Sequence, residues 1–443
     1  MQSRELSAVG RRRVLAAALG AGAMAGLAAC RPEGSAGGPA SGSPSPTRSP
    51  AASSSAGPSQ VPPSSSSVPA SSSSAPSGGF AHPGLLHTQA DFDRMAAKVT
   101  AGARPWKDGW DRLVANSHSQ TSWQANPQAT VYRGSGSPEN YGKLYHDIHA
   151  AYQNALRWKI TGDAAHAETA AAILNAWAGT LTKLDGSADR FLAAGIYGYQ
   201  FANAAEILRD YPRFDLAGGR HVLKSVFYPL SSDFLAHHNG ADIAHYWANW
   251  DLCNIAAVLA IGILCDEQAK VDEAVGYFRT GGGNGSLGHA VQFTYPGDLG
   301  QWQESGRDQG HTTLGIGLAG TVCEMAWNQG IDLYGHDDNR FMKGCEYVAR
   351  YNAGQDVPFT AFDWVSGPGS RTKTIGTVSP DSRGNNRPVW QMVYQHYARR
   401  RGLSVPNMAA YAAKLGVEGG GGDYGPNSGG FDQFGFGSLT FTR

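Results

Sequence analysis

The chain from residue 80 onwards predicts an all-α fold built from helical hairpins. Long amphipathic stretches follow one another, and short breaks such as Thr161-Gly162-Asp163 separate them. Apolar side chains recur at helical spacing, whereas the alternation typical of strands is scarce before residue 355. Helix after helix with short breaks indicates a repeat-like architecture. The predicted helices span residues 145–160, 164–181, 191–208, 222–237, 247–264, 269–278 and 312–329.

The last section of the chain has a different composition. After residue 355 it is rich in Gly, Pro and Asp, which predicts mostly irregular structure. One helix, over residues 389–401, is predicted within it.

The N-terminus predicts an export signal over residues 1–29. Arginines 11–13 precede an apolar run, residues 14–29, that is too short and too weakly apolar for a spanning helix. Paired arginines at this place suggest the twin-arginine route. Leu27-Ala28-Ala29-Cys30 has the pattern of a bacterial lipobox, so we expect Cys30 to be lipidated and the protein to stand on the extracellular face of the membrane. An ordinary cleaved signal with an incidental cysteine, and hence secretion, is the alternative.

Residues 30–79 are almost all Ser, Pro, Ala and Gly, and they predict a disordered tether because few apolar side chains are available to offset the ordering entropy. Residues 80–443 are predicted to form the folded domain.

Lys plus Arg equals Asp plus Glu, at 36 each, so the charge gives no indication of nucleic-acid binding. We expect a monomer. The cysteines at 253, 265, 323 and 345 have no metal-site spacing, and whether any pair forms a disulfide stays open.

The segment from Gln301 to His311 concentrates polar and aromatic side chains just before an apolar helix. Arg307 and His311 are four residues apart and can share one helix face. An anionic, ring-shaped substrate would suit such a site, because Arg binds a carboxylate, His moves a proton and Trp302 offers a flat surface. Arg307 could instead form an ion pair with Glu304 or Asp308.

Several segments together resemble the alginate lyase superfamily of polysaccharide lyases. They are residues 155–163 (ALRWKITGD), 173–177 (ILNAW), 246–251 (YWANWD), 304–311 (ESGRDQGH), 387–390 (RPVW) and 394–397 (YQHY). The resemblance implies an (α/α) toroid with a sugar-binding groove, and cleavage of acidic, uronic-acid polysaccharides by β-elimination. Characterised alginate lyases of this fold carry an Asn-His pair before a Tyr-Trp, whereas this chain has Ala244-His245 there. Both alginate and glucuronan therefore stay open as substrates.

β-Elimination requires a neutralised carboxylate, a base for the C5 proton and an acid for O4, and it requires no metal or other cofactor. We interpret Asn249 as the neutralising amide, Arg307 as the carboxylate clamp and His311 as base or neutraliser. Tyr246 is the tyrosine candidate for acid or base. His245, Tyr246 and Asn249 are spaced to share a helix face. The predicted substrate-binding residues are Trp302, Gln309, Glu304, Trp247, Tyr145 and His146.

Two other functions are compatible with the same residues. A glycoside hydrolase on an α/α ring would need two opposed carboxylates, for which Glu304, Asp308 and Asp251 are candidates. A non-catalytic glycan-binding lipoprotein would have the same groove without turnover.

Overall fold

Helices make up most of the computed structural model. It describes residues 79–135, 138–367, 371–420, 422, 424 and 430–443. The predicted export signal, Cys30 and all of the tether except residue 79 lie outside the described residues. The α-helices of the described residues are α1 (Gln89–Thr100), α2 (Trp106–Ala115), α3 (Tyr141–Thr161), α4 (Ala164–Ala178), α5 (Arg190–Ile207), α6 (Leu216–Val222), α7 (Tyr228–His237), α8 (Ala248–Leu264), α9 (Gln268–Thr280), α10 (Leu287–Ala290), α11 (Gln309–Asn328), α12 (His336–Asn352), α13 (Trp390–Tyr394), α14 (Pro406–Leu415) and α15 (Gly437–Thr440). None of them is long and apolar enough to cross a membrane.

Each predicted helix is present, with ends that differ by a few residues. The predicted helix 222–237 contains a π-helical stretch, Leu223–Phe227, between α6 and α7, and the late helix continues α13 as a π-helix over Gln395–Arg400. Periodicity did not predict α1, α2, α12 and α14, nor the short helices α6, α10 and α15. Of these, α1 had a recognisable signal, because Thr88 and Asp91 form a capping box at its start.

Three two-stranded ribbons complete the described structure. Strands β1 (Thr130–Arg133) and β2 (Lys183–Gly186) are parallel, and each lies shortly before a long helix, α3 and α5 respectively. Strands β3 (Val291–Tyr295) and β4 (Leu299–Trp302) form an antiparallel hairpin that leads to α11. Strands β5 (Phe362–Gly367) and β6 (Arg371–Ile375) form a second antiparallel hairpin.

Helices α3, α5 and α8 run parallel in the centre of the fold. Tyr145 lies beside Tyr197 and His149 beside Gln200, so contacts between α3 and α5 advance in the same direction along both helices. The partner of α3 in its hairpin, α4, runs the other way, since His166 bonds to Asn154. Residues 248–264 of α8 are all buried, as are residues 191–207 of α5. A helix that is buried on every side is surrounded by other elements, which is the position of an inner helix in a ring of hairpins.

The parallel packing of α5 on α8 depends on glycine. A Cβ on Gly195 would lie 2.5 Å from Cys253 Sγ and 2.9 Å from the backbone nitrogen of Asn254. Farther along, Gly198 faces Ala257. The two helices thus approach to backbone contact at Gly195, and a side chain there would push them apart.

We predict that Gly195→Ala destabilises the protein by about 1–3 kcal/mol, the usual cost of overpacking a core. The matched control is Gly276→Ala on the exposed side of α9, where a Cβ would meet nothing within 4 Å. That substitution should stabilise by about 0.5–1 kcal/mol, because alanine is the better helix former. Urea unfolding midpoints measure both changes. Equal midpoints for the two variants would contradict the close approach of α5 and α8.

Candidate active site

The polar segment predicted before α11 forms a tight turn that leads into the helix. Gln303–Gly306 is a 3-10 turn, and Asp308, in extended conformation, caps α11. Asp308 Oδ1 accepts a hydrogen bond from His311 N at 2.8 Å, and Asp308 Oδ2 lies 2.7 Å from His311 Nδ1. One carboxylate therefore both starts the helix and fixes the orientation of the imidazole.

Arg307 and His311 contact each other, as their spacing predicts. Arg307 Nη2 lies 3.2 Å from His311 Nε2. A guanidinium is always a donor, so Nε2 must accept, and the ring proton then resides on Nδ1 and is donated to Asp308. His311 in this arrangement is a neutral imidazole whose Nε2 lone pair is directed at Arg307.

Glu304 lies buried beneath Arg307. Its Oε1 is 3.5 Å from Arg307 Nη1, and neither carboxylate oxygen has a hydrogen-bond partner. Burial raises the pKa of Glu304 to about 7, although the neighbouring Arg307 acts in the opposite direction. Arg307 Nε is also 3.6 Å from Asp308 Oδ2. Both ion pairs considered from the sequence are present, and they leave 17% of the Arg307 side chain exposed.

Asn249 lies in the first turn of α8, and only 1% of it is exposed. Its Oδ1 is buried without a hydrogen-bond partner. Because a buried, unpaired amide oxygen costs free energy, this position calls for a functional explanation. The prediction that His245, Tyr246 and Asn249 share a helix face is wrong, because α8 begins only at Ala248 and the two earlier residues lie in the preceding turn.

Two stacked tryptophans border Arg307. The guanidinium lies 5.3 Å from the ring centre of Trp247, and Trp364 of strand β5 stacks on Trp247 at 4.5 Å. The hairpin is held there by two hydrogen bonds, from Trp364 Nε1 to His245 O and from His245 Nδ1 to Val365 O. Trp364 was not among the residues predicted from the sequence, although an indole in a short alternating segment within a Gly-rich region was a usable signal.

Three predicted substrate contacts are not accessible to a ligand. Trp302 is fully buried between Phe341 and Gly344, so it offers no ring face to a sugar. Gln309 is buried and bonds through its amide to Ser305 O, Ser379 O and Asn352, which makes it a structural residue. Glu304 is also fully buried. The sequence shows only that these residues are polar or aromatic; the direction of each side chain depends on the turn and on its packing.

Tyr246 and Tyr145 occupy different environments. Tyr246 packs on Phe234 and Trp250, and its hydroxyl accepts a hydrogen bond from Asn239 after α7. Tyr246 is thus packed between α7 and the first turn of α8. Tyr145 is half-buried near the start of α3 and stacks on Phe431 at 4.7 Å.

His146 forms part of a histidine pair at the same end of α3. His146 Nδ1 lies 2.8 Å from His118 Nε2, and the two rings are stacked. Burial lowers the pKa of both residues, that of His118 to about 4. The pair is therefore uncharged at neutral pH.

The C-terminal segment connects this end of α3 to the start of α11. Next to Phe431, Asp432 forms a 2.7 Å ion pair with Arg387 Nη1, and Arg387 Nη2 donates to Gly310 O. The contact of Arg307 with Trp247 adds the turn before α8, and the parallel packing of Gly195 on Cys253 puts the first turns of α5 beside those of α8. We call this end of the fold, where α3, α5, α8 and α11 begin, the mouth. Helix N-termini carry partial positive charge, so several of them together favour an anionic ligand.

Comparison with known proteins identifies the family. A family model for alginate lyases matches residues 98–358, which is more than half of the chain. This chain belongs to the alginate lyase family. It is accordingly a polysaccharide lyase, an enzyme that cleaves carbon–oxygen bonds. No curated protein matches the chain.

Solved structures with the same fold include alginate lyases. Alginate lyase A1-III from Sphingomonas species A1 aligns with a TM-score of 0.52 and 15% identity over 82% of this chain and 97% of its own. A variant of that enzyme complexed with a tetrasaccharide gives 0.55 and 14%, with the same coverage. An alginate lyase from Bacteroides ovatus gives 0.50 and 12%, over 75% of this chain and 95% of its own. The predicted (α/α) toroid is thereby confirmed.

The carboxylates considered for a hydrolase do not form an accessible opposed pair in this lyase. Asp251 is fully buried and bonds to His238 Nε2 at 2.9 Å and to Gly285 N at 2.8 Å. Glu304 lies beneath Arg307, and Asp308 is engaged with His311. Each of the three has a structural or orienting partner, which disfavours the alternative of hydrolysis.

We predict that Asp308→Asn lowers turnover of the lyase about 100-fold, the scale seen when an orienting partner of a histidine is changed. The amide still provides an oxygen for the helix cap, but its NH2 group is a donor and would face the donor N–H at His311 Nδ1. The proton of the ring should therefore move to Nε2. Nitrogen NMR of the histidines should show the change of tautomer. The control is Asp163→Asn, which alters the cap of α4, where no histidine is oriented, and should leave turnover unchanged. Parental turnover in Asp308→Asn would contradict this role.

Proposed function

We propose that this lyase cleaves a 1,4-linked polyuronate of the alginate or glucuronan type by β-elimination. The observation that carries the proposal is the contact between Arg307 and the neutral imidazole of His311 at a mouth where inner helices begin. A neutral polysaccharide would give no reason to place a partly exposed guanidinium beside a candidate base. A uronate gives one, because its carboxylate must be neutralised before the C5 proton becomes acidic.

The geometry suggests how binding prepares the base. Arg307 Nη2 occupies the lone pair of His311 Nε2 in the structure. A substrate carboxylate that binds Arg307 competes for that guanidinium and releases the lone pair for the C5 proton. His311 Nε2 takes the C5 proton, and the C5–H electrons form the C4–C5 double bond. O4 leaves with the C4–O4 electron pair and receives a proton from the imidazolium of His311, which restores the neutral ring. In this proposal Asn249, a buried amide at the start of α8, hydrogen-bonds the developing charge through its NH2 group.

The direct test is incubation with a panel of polyuronates while the ultraviolet absorbance of the C4–C5 double bond is followed. We expect absorbance to rise with alginate or glucuronan, and to rise equally after treatment with a strong chelator, since the proposed chemistry uses only side chains. Saturated reducing products without the absorbance change would contradict elimination. Binding without any product would favour the glycan-binding alternative.

Asn249→Ala relates the activity to this site. It should lower turnover by about two orders of magnitude, the scale of a lost charge-stabilising group. Asn254→Ala is the matched control: Asn254 is a buried amide on the same helix and its Oδ1 is likewise without a partner, but its Nδ2 donates to Trp250 O, so its loss should leave turnover unchanged.

We further predict that polyuronate affinity falls as pH rises through about 7. Glu304 is protonated and neutral below its raised pKa of about 7, and above it the carboxylate competes with substrate for Arg307. The loss in kcat/KM should be roughly fivefold, about 1 kcal/mol of charge interaction. Glu304→Gln should abolish this fall in kcat/KM, which appears as a step near pH 7 in the pH profile. Glu418→Gln is the control, because burial raises the pKa of Glu418 to about 7 as well, but its Oε1 accepts from Trp390 N and Gln391 N away from Arg307. A step that persists in Glu304→Gln would contradict the assignment.

We also propose that the enzyme is attached to the outer face of the membrane through a lipid on Cys30. The support is the sequence alone: an apolar signal that ends in a lipobox, followed by a Ser/Pro/Ala/Gly tether that can hold a domain away from a surface. Cys30→Ala should release the protein into the medium or block its processing, which cell fractionation measures. Membrane association equal to that of the parent would contradict the anchor and leave secretion as the alternative.

A further inference from the structure

We propose that Arg133 forms a second carboxylate-binding subsite, which holds another uronate residue of the polymer at the same mouth as Arg307. The inference rests on the proposed function, because it assigns to that site a substrate with a carboxylate on more than one sugar.

Arg133 is held in place by tyrosines. It ends strand β1, and its Nη1 donates a 3.0 Å hydrogen bond to the hydroxyl of Tyr197 on α5. The guanidinium carbon lies 5.1 Å from the ring centre of Tyr141 and 5.6 Å from that of Tyr197. Rings around a guanidinium fix its plane and stabilise its charge without neutralising it.

The rest of the guanidinium is available to a ligand. No carboxylate of the described residues lies within ion-pair distance of Arg133, although Asp189 and Asp432 act on it at longer range. Its Nε and Nη2 have no acceptor among those residues, and neither nitrogen is sealed off from solvent. These two nitrogens form the edge of the fork that binds a carboxylate in bidentate fashion. A half-buried arginine with that edge free is prepared for an anion that comes from outside the described chain.

The surroundings of Arg133 suit a sugar ring and connect to the catalytic group. Tyr145, one turn after Tyr141 on α3, packs beside Tyr197 and stacks on Phe431. The next residue, Asp432, is linked through Arg387 to Gly310, the neighbour of His311. Arg133 and Arg307 are therefore connected by one continuous series of contacts, and the rings of Tyr145 and Phe431 on the Arg133 side of it offer aromatic surface to a sugar.

The test compares Arg133→Gln with Arg190→Gln. Arg190 is also a half-buried arginine at the start of an inner helix, but both of its Nη groups are already bonded, to Ser187 O and to Asn239 Oδ1. Calorimetry would measure binding of saturated oligouronates of increasing length and of the same oligomers with reduced carboxyl groups. We expect Arg133→Gln to weaken the longer oligouronates at least tenfold and to leave the shortest and the carboxyl-reduced ones unchanged. Arg190→Gln should change none of them by more than about twofold, and Arg133→Lys should restore only part of the affinity, because an ammonium lacks the fork.

Equal losses for Arg133→Gln and Arg190→Gln would overturn the subsite, as would an equal loss for the carboxyl-reduced oligomers. Unfolding temperatures of both variants identify a loss caused by misfolding, in which case Arg133→Lys supplies the comparison. The binding measurement does not depend on turnover. If the parent protein binds oligouronates without forming the double bond, the elimination proposal fails while the subsite is still judged by these affinities. If elimination occurs and Arg133→Gln binds like the parent, only the subsite fails.

Discussion

The active site of this lyase depends on the close parallel packing of its inner helices. Helices α5 and α8 meet at Gly195, where nothing larger than a hydrogen atom fits between one helix and the backbone of the other. Because neighbouring inner helices run in the same direction, the loops before them open at one mouth. Residues such as Arg133, Asn249 and Arg307 belong to distant parts of the sequence, and this packing brings them to the same end of the molecule.

The carboxylates next to Arg307 neutralise its charge only in part, so positive potential remains at the mouth for a ligand. Glu304, the carboxylate beneath Arg307, has a pKa raised to about 7, so it carries little charge in mildly acidic solution and gains charge as the pH rises through 7. The two carboxylate oxygens of Asp308 accept hydrogen bonds from His311, one from the backbone N–H in the cap of α11 and one from the imidazole. The guanidinium of Arg307 is therefore oriented by its neighbours without being fully neutralised. The carboxylate of an anionic sugar can pair with this guanidinium. In the proposed mechanism, that one binding event also releases His311 to act as the base.

The hairpin β5–β6 adds aromatic surface that the helical frame lacks. Trp364 reaches Trp247 from a region of the chain more than a hundred residues away, and its indole nitrogen is bonded to the backbone of His245. The turn before α8 is consequently held from two sides, by the inner helix that follows it and by the hairpin. This arrangement explains how His245, which has its own Nδ1 bonded to Val365 O, acts in the structure as an anchor for the hairpin.

The sequence by itself determined most of the long helices, the family and the contact between Arg307 and His311. Helical periodicity and the four-residue spacing of Arg307 and His311 are short-range properties, so they can be recognised without knowledge of the fold. Tertiary structure decided which polar and aromatic residues face the mouth. Trp302 and Gln309 lie in the same motif as Arg307 yet are buried, whereas Trp364 and Arg133 come from ribbons that periodicity does not predict. The physical reason is that exposure depends on which elements pack against a residue, and those partners are separated from it by long stretches of chain.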